Sequence, residues 1–326
     1  MSPRQLTVKL GAAVDAALSR QESATALGLM RIAIVSVLLV NLLAHVGAVG
    51  EYFSDESLLA GRFARLAFPD RASLFLPPRD GGEEAWHAWM YVADPTGVRV
   101  VFALGVASHV AWLLGWHTWI AGALSFGLWV SLVGRNPMLY AYPDQLLMME
   151  AFLLALMPSG RGLSLDARRR GGPGTVPVWC RRMIQFELAI IYVTTGLEKT
   201  GVTWHVDGTA IYYTLVNPYN RHFAWTGLWA NLQPWVLAPA TYLTLYWEIG
   251  FGAFVGLNWV REAIGARKFL PDLRPYFLGY GVAMHLGIWV LLYTVLFPPL
   301  ILAAYFSFLT PDEADGLVGR IRRRRA

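Results

Sequence analysis

The sequence predicts an all-α fold, a polytopic integral membrane helical bundle of about eight transmembrane helices, with seven to nine admitted. Three observations predict it. The 326-residue chain is 56% hydrophobic and 15% charged, with a positive mean hydropathy, whereas soluble domains run at about 25% charged and 45–50% apolar. Apolar runs recur at close to the length of about 20 residues that crosses a hydrocarbon core of about 30 Å. Lysines and arginines gather at the ends of those runs, where they act as orientation signals.

The runs fall at residues 26–46, 98–116, 118–134, 144–158, 182–198, 235–257, 276–295 and 297–309. The fourth and the last are short. Pro298 and Pro299 lack an N–H, so a helix should end or kink there, and the last two runs are either two short helices or one kinked one. With the N-terminus inside, Arg4, Lys9, Arg20 and Arg31 fall on the inner side. So do the basic residues between 161 and 182, those between 261 and 274, and the RIRRRRA tail. Most of the 27 lysines and arginines are then cytoplasmic, and both termini with them.

Residues 5–18 place Leu6, Leu10, Val14 and Leu18 four apart, which describes either an amphipathic helix on the inner surface or a poorly ordered terminus. A cleaved signal peptide does not fit, because about 25 residues of mixed polarity precede the first apolar run and many runs follow it. Without an internal repeat or linker, the chain reads as one domain over residues 1–326. Its core is 26–309, preceded by a cytoplasmic segment and followed by a basic tail from 310. The single Cys180 excludes an intramolecular disulfide framework and dithiol chemistry. The net charge of +5 sits at the ends of runs, so a nucleic-acid partner is not expected.

A charged side chain at the bilayer centre costs roughly 2.5–3.5 kcal/mol on insertion scales, so such residues face the bundle interior and mark function. Here they are Glu150, Glu187, Glu248 and His285, with His45 and His109 also in or beside spans and Asp144 and Lys199 at outer ends. Each has a plainer reading. His45 and His109 suit hydrogen bonds between helices, Glu187 suits an ion pair with Arg181 or Arg182, and Asp144 suits an N-cap. Gly252 and Gly256 form a GxxxG packing face. No His or Cys spacing suggests a metal, and no phosphate loop appears.

Lys199 on its own would snorkel to the headgroups. The segment that follows does not look like a solvated loop, however. Residues 203–219 keep Trp204, Ile211, Tyr212, Tyr213, Leu215, Val216 and Tyr219, with Gly208 allowing a tight turn after Asp207. That composition resembles a re-entrant or buried outer segment, tolerated at membrane depth only under protein or along a cavity. A lysine beneath it loses hydration, which disfavours the charged form, and a neutral amine is a usable general base.

The order RIAIVSVLLVNLL, YFSDES, RNPMLYAYPDQLL with MPSGRGLSLD, IIYVTTGLEKTGVTWHVDGTA, YWEIGF and HLGIWVLLYTVLFPPLILAAY resembles the HTTM family. That membrane domain is shared by bacterial proteins and the vitamin K-dependent γ-glutamyl carboxylases. The likeness covers residues 26–309, and its most specific element is G-L-E-K-x-x-x-x-W. In the carboxylases a lysine at the position of Lys199 is held to deprotonate vitamin K hydroquinone, after which peptidyl glutamate is carboxylated. The resemblance therefore implies a carbon–carbon lyase type of chemistry, with Lys199 as base, reduced vitamin K or menaquinone as cofactor, and no metal.

Tyr192, Trp204 and His285 match carboxylase residue types, whereas Glu248 stands where those enzymes carry aspartate and Asp144 where they carry histidine. The resemblance makes Lys199, Asp144 and His285 the candidate catalytic residues. Tyr192, Trp204, Tyr212, Glu248 and Phe297 become the candidate cofactor-binding residues. Asp144, and Glu198 where the carboxylases carry another lysine, would both favour a protonated Lys199. The animal enzymes also append a luminal domain that grips the substrate propeptide, which this sequence does not show.

Two classes of function follow. In the first, a multi-pass protein of the bacterial inner membrane modifies a peptide or small substrate at its outer face with a quinone cofactor. In the second, a non-catalytic maturation or immunity factor holds a secreted peptide, as in the branch that matures a sporulation-delaying toxin. Loop 47–95 and segment 203–219 would then bind by shape, with Lys199 ion-paired to Asp144 or Glu198. Partners are membrane lipids and a secreted peptide or its processing protein. A transporter would show internal inverted repeats, and the sequence shows none.

Overall fold

Each of the eight apolar runs forms helix, because stretches rich in Leu, Ala, Met and Val favour it and the prolines stand in first turns, where the missing N–H costs nothing. The computed structural model describes residues 18–323 except 58, 60, 68–91, 93, 141, 264–269 and 295. The amphipathic segment expected over 5–18 therefore lies outside the described residues but for Leu18, as does much of loop 47–95. The described chain is mostly helical, and it divides into two compact units, residues 22–176 with 311–326 and residues 177–310 with the N-terminal 21 residues.

The first unit holds α1 Thr25–Leu43, α2 Val49–Phe53, α3 Gly61–Ala67, α4 Pro95–Leu114, α5 Thr118–Arg135, α6 Tyr142–Leu156 and α7 Leu165–Arg169. Helix α4 starts where the Asp94 carboxylate accepts from the Gly97 N–H at 2.7 Å, and it stops at Gly115, whose φ of 74° suits a residue without Cβ. Leu42, Val49, Phe53, Val98, Phe102, Leu128 and Leu132 form a buried core among α1, α2, α4 and α5. Two stretches, Thr25–Phe53 with mean hydropathy 2.4 and Pro95–Leu114 with 1.7, are long and apolar enough to cross a membrane. Val40, Val100 and Leu104 on them are exposed, an apolar surface that lipid accommodates and water does not.

Arg31, expected among the inner-side charges that set topology, is instead fully buried, and so is Arg135. The Arg31 guanidinium donates to the carbonyls of Ser159, Gly162 and Leu163 at 2.6, 3.1 and 2.8 Å. Arg135 donates to those of Phe53, Ser54 and Leu59 and to the Ser57 hydroxyl. These bonds are what the MPSGRGLSLD and YFSDES stretches serve: their backbone carbonyls leave water, and a planar five-donor group answers several at once. A Cβ on Gly162 would come 1.9 Å from the Ala24 carbonyl oxygen, so only glycine permits that approach.

The second unit holds α8 Trp179–Glu198, α9 Val202–His205, α10 Ala210–Val216, α11 Ala238–Ala263, α12 Arg274–Leu291 and α13 Phe297–Ala304. The break expected at Pro298-Pro299 is real, since α12 ends at Leu291 and α13 begins with the two prolines in its first turn. Helix α8 packs along α11. Gly252 explains part of that contact, because a Cβ there would meet Val193 Cγ2 at 2.9 Å, but Gly256 has nothing within 4 Å, so only half of the expected GxxxG face packs.

The chain then returns to the first unit as α14 Pro311–Arg323, a helix where a basic tail was expected. Ser23 and Thr25 donate their hydroxyls to its Asp315 carboxylate. Among the described residues, what departs from an all-α chain is a two-stranded sheet, β1 Gln21–Ser23 with β2 Thr175–Pro177, and an isolated bridge between Arg221 and Leu292.

Candidate functional site

The second unit assembles most of the candidate residues. Lys199 is the C-cap of α8, with its backbone out of helix. Its ammonium folds back to the Thr195 carbonyl at 3.2 Å, answering one of the last-turn acceptors that a helix leaves open. The same nitrogen stands 2.5 Å from Glu248 Oε2 on α11 and 5.2 Å from the centre of the Trp204 ring. The two side chains are 21% and 10% exposed, so the pair is largely shielded without being sealed. The ring face of Trp204 adds a cation–π contact.

Gly196 lets the pair form. A Cβ there would lie 2.9 Å from Ile249 Cγ1 and 3.1 Å from Glu248 Cβ, so glycine brings the last turn of α8 against α11 at the level of the carboxylate. Within this unit the ion-pair partner of Lys199 is Glu248. Glu198 is exposed. Asp144 belongs to the other unit, where it lies inside the first turn of α6 rather than at the expected N-cap and accepts from Asn41 Nδ2 at 2.7 Å.

Segment 203–219 forms α9 and α10 with the expected turn between them, Gly208 at φ 62°, where a Cβ would strike Ala238 and Tyr242. It is tied to α11 by Tyr242 Oη donating to the Val206 carbonyl at 2.7 Å, and to Gln233, whose Nε2 donates to the Gly208 carbonyl at 3.3 Å. Ala210 and Leu215 are buried beneath it. Tyr213 and Tyr219 are 56% and 90% exposed, so the segment covers with one side and offers aromatic surface on the other. Tyr212 makes its ring contact with Tyr213, at 5.2 Å.

Two turns before Lys199 on α8, about 10 Å along the axis, Tyr192 Oη lies 2.7 Å from His285 Nε2 and 2.9 Å from Tyr305 Oη. Trp247 and Phe251 pack on the Tyr192 ring at 4.7 and 4.5 Å, and Phe297 lies 5.4 Å from the His285 ring. His285 Nδ1 is buried without a hydrogen-bond partner. Tyr192, His285 and Phe297 are therefore brought together as one group. Tyr305 and Trp247 complete it and were not anticipated. Their signal was Gly281, one turn before His285, where a Cβ would fall 2.2 Å from Tyr305 Oη and 2.9 Å from Trp247 Cζ2.

Other polar residues have structural partners. His45 and His109 bond the carbonyls of Asn41 and Gly105, four residues back in the chain, rather than a neighbouring helix. Arg181 and Arg182 turn to Glu262 at 3.0 and 3.8 Å rather than to Glu187. Among the described residues no group of three or more His, Cys, Asp or Glu is placed to hold a metal ion.

The family model of the HTTM domain matches residues 72–312, which include Lys199, Glu248, Tyr192 and His285. No curated protein and no solved structure matches the chain. The match covers most of the sequence, and the helices long and apolar enough to cross a bilayer agree with its membrane character. The chain belongs to the HTTM-domain family, which is associated with vitamin K-dependent carboxylase-type membrane proteins.

Proposed function

We propose that the chain is a multi-pass protein of the bacterial inner membrane, both termini cytoplasmic, that uses a reduced quinone to modify a peptide or small substrate at its outer face. The observation that carries this reading is the 2.5 Å pairing of Lys199 Nζ with Glu248 Oε2 beneath Trp204, two turns from the Tyr192 and His285 pair. An ammonium and a carboxylate together carry no net charge. The base is the pair with its amine neutral, which carries one negative charge and on accepting a proton at Lys199 becomes that neutral ammonium–carboxylate pair. Glu248 thereby stabilises the protonated form that Lys199 reaches on taking the proton.

The residues fit a quinone: His285 Nδ1 is a buried ring nitrogen without a partner, and Trp247, Phe251 and Phe297 supply flat apolar surroundings. Bound there, a reduced quinone would give up its two electrons to dioxygen, and that reaction would supply the strong base for the modification. The chain's own part is to hold the ring by Tyr192 and His285, to take its proton at the Lys199–Glu248 pair, and to shield both with segment 203–219. Purified protein with reduced menaquinone, ¹⁴C-bicarbonate and candidate peptides tests this. Quinone oxidation should occur in the native protein and be lost in Lys199→Ala; equal oxidation in both, or none, overturns the reading.

One observation favours a second reading. The exposed Tyr213 and Tyr219 give segment 203–219 an outward aromatic surface, which suits a factor that holds a secreted peptide without chemistry, the Lys199–Glu248 pair then being structural. Lys199→Arg separates the two, because arginine keeps the charge and cannot act as a base. Retained biological activity supports the holder; loss with a folded protein supports the enzyme.

A further inference from the structure

The end of α11 remote from Glu248 carries a cation that the chemistry above does not use. Arg261 lies thirteen residues beyond Glu248, about 20 Å along the helix axis. Its nearest carboxylate is shared: Asp272 Oδ2 stands 2.7 Å from Arg274 Nη2 but 3.5 Å from Arg261 Nη1. Arg274 Nε adds contacts of 3.0 and 3.3 Å to the same carboxylate, so Asp272 is engaged mainly by Arg274. Arg261 Nε donates to the Leu270 carbonyl at 3.2 Å. The side chain is 16% exposed, a guanidinium mostly out of water with half a counter-charge.

Arg261 also forms the polar wall of a cavity of about 150 Å³ that is otherwise apolar, lined by Phe254, Leu257, Leu270 and Leu273. Asn258, the remaining polar residue of the lining, already gives its Nδ2 to Glu262 at 3.3 Å. An apolar recess beside one under-neutralised guanidinium suits a molecule with both characters. A bare phosphate would leave the recess empty. A zwitterionic lipid would bring its own cation toward Arg261 and Arg274. We propose that this end of the second unit is a binding site for an anionic phospholipid, with a segment of acyl chain in the recess and the phosphate on Arg261. Arginine matches it because its fork engages two phosphate oxygens at once.

Native mass spectrometry of the detergent-solubilised full chain tests the site, titrating phosphatidylglycerol against phosphatidylcholine of identical acyl chains. The native protein should retain the anionic lipid preferentially. Arg261→Gln, which leaves Asp272 to Arg274, should lower that preference roughly tenfold, the scale of one charge-assisted contact. Leu273→Trp, which fills the recess and keeps the charge, should lower it as well and serves if the first variant does not fold. Equal retention of both lipids by the native protein, or an unchanged preference in the variants, overturns the proposal. Thermal stabilisation by inorganic phosphate equal to that by phosphatidylglycerol overturns the lipid assignment in favour of a simple anion site.

Discussion

Glu248 reaches across from α11 to place its Oε2 2.5 Å from Lys199 Nζ, and these two residues are 49 positions apart in sequence. Both side chains are mostly shielded, so removing one charge leaves the other largely out of water and without its counter-charge. Glu248→Gln should therefore destabilise the protein by about 2 kcal/mol, the scale of a charged hydrogen bond, and abolish any Lys199-dependent oxidation of quinone. Lys199→Arg should cost less stability, since the charge remains. Denaturant unfolding in detergent checks the order of the two.

Glycine spacing sets how closely α8 and α11 approach. Gly196→Ala puts a methyl 2.9 Å from Ile249 Cγ1 and 3.1 Å from the Ile249 backbone nitrogen, and a backbone atom cannot rotate away. Overpacking of this kind costs about 1–3 kcal/mol, and it should also part Lys199 from Glu248. Gly256→Ala on the same helix meets nothing within 4 Å and should stabilise by about 0.5–1 kcal/mol through helix propensity. Melting temperatures of opposite shift in the two variants are the expected result; equal shifts would show that the helices do not pack at Gly196.

The helices were legible in the sequence because apolar composition and proline placement are local properties. Lys199 stood out for the same reason, being a charge at the end of an apolar run, and so did the Gly208 turn. Its partner did not, because the choice of Glu248 depends on the register between α8 and α11, which Gly196 sets through Ile249. The buried roles of Arg31 and Arg135 were hidden likewise: an arginine at the end of a span looks the same whether it meets headgroups or a loop's carbonyls. Strands of three residues carry too little pattern to be seen at all.

Arg31→Lys tests that hidden role. Lysine keeps the charge but cannot hold the Ser159, Gly162 and Leu163 carbonyls together in one plane. Leaving one or two of these buried acceptors unanswered costs about 1–3 kcal/mol each. The variant should unfold at lower denaturant, with enhanced proteolysis confined to the 159–170 stretch. An unchanged midpoint would mean that the charge alone matters.

Asp166, in the first turn of α7, gives the fold an acid sensitivity. Burial alone would raise its carboxyl, but the N–H groups of Thr118 and His117, the Thr118 hydroxyl and the Arg170 guanidinium hold it below the usual range. A depressed value in the folded state means that the carboxylate stabilises the fold above the unfolded value of 3.8 and loses that effect as pH falls through the folded value. Stability of the native protein should therefore drop below about pH 4. Asp166→Asn should be less stable than the native protein at pH 7 and approach it at low pH, as read by unfolding midpoints across a pH series.

The Tyr192 hydroxyl is shared by His285 and Tyr305, and the two tyrosines should not be equivalent. Tyr192→Phe leaves His285 Nε2 without a partner when Nδ1 already lacks one, so a buried imidazole is left with no hydrogen bond at either nitrogen. Tyr305→Phe removes only the 2.9 Å contact and leaves the 2.7 Å bond to His285 in place. The first should cost about 1–3 kcal/mol and the second about 1 kcal/mol. A double variant should cost less than the sum, because both changes remove the same tyrosine contact. If instead Tyr305→Phe were the more damaging, Tyr305 rather than Tyr192 would hold the histidine, and the assignment of Tyr192 to a bound ring would fall with it.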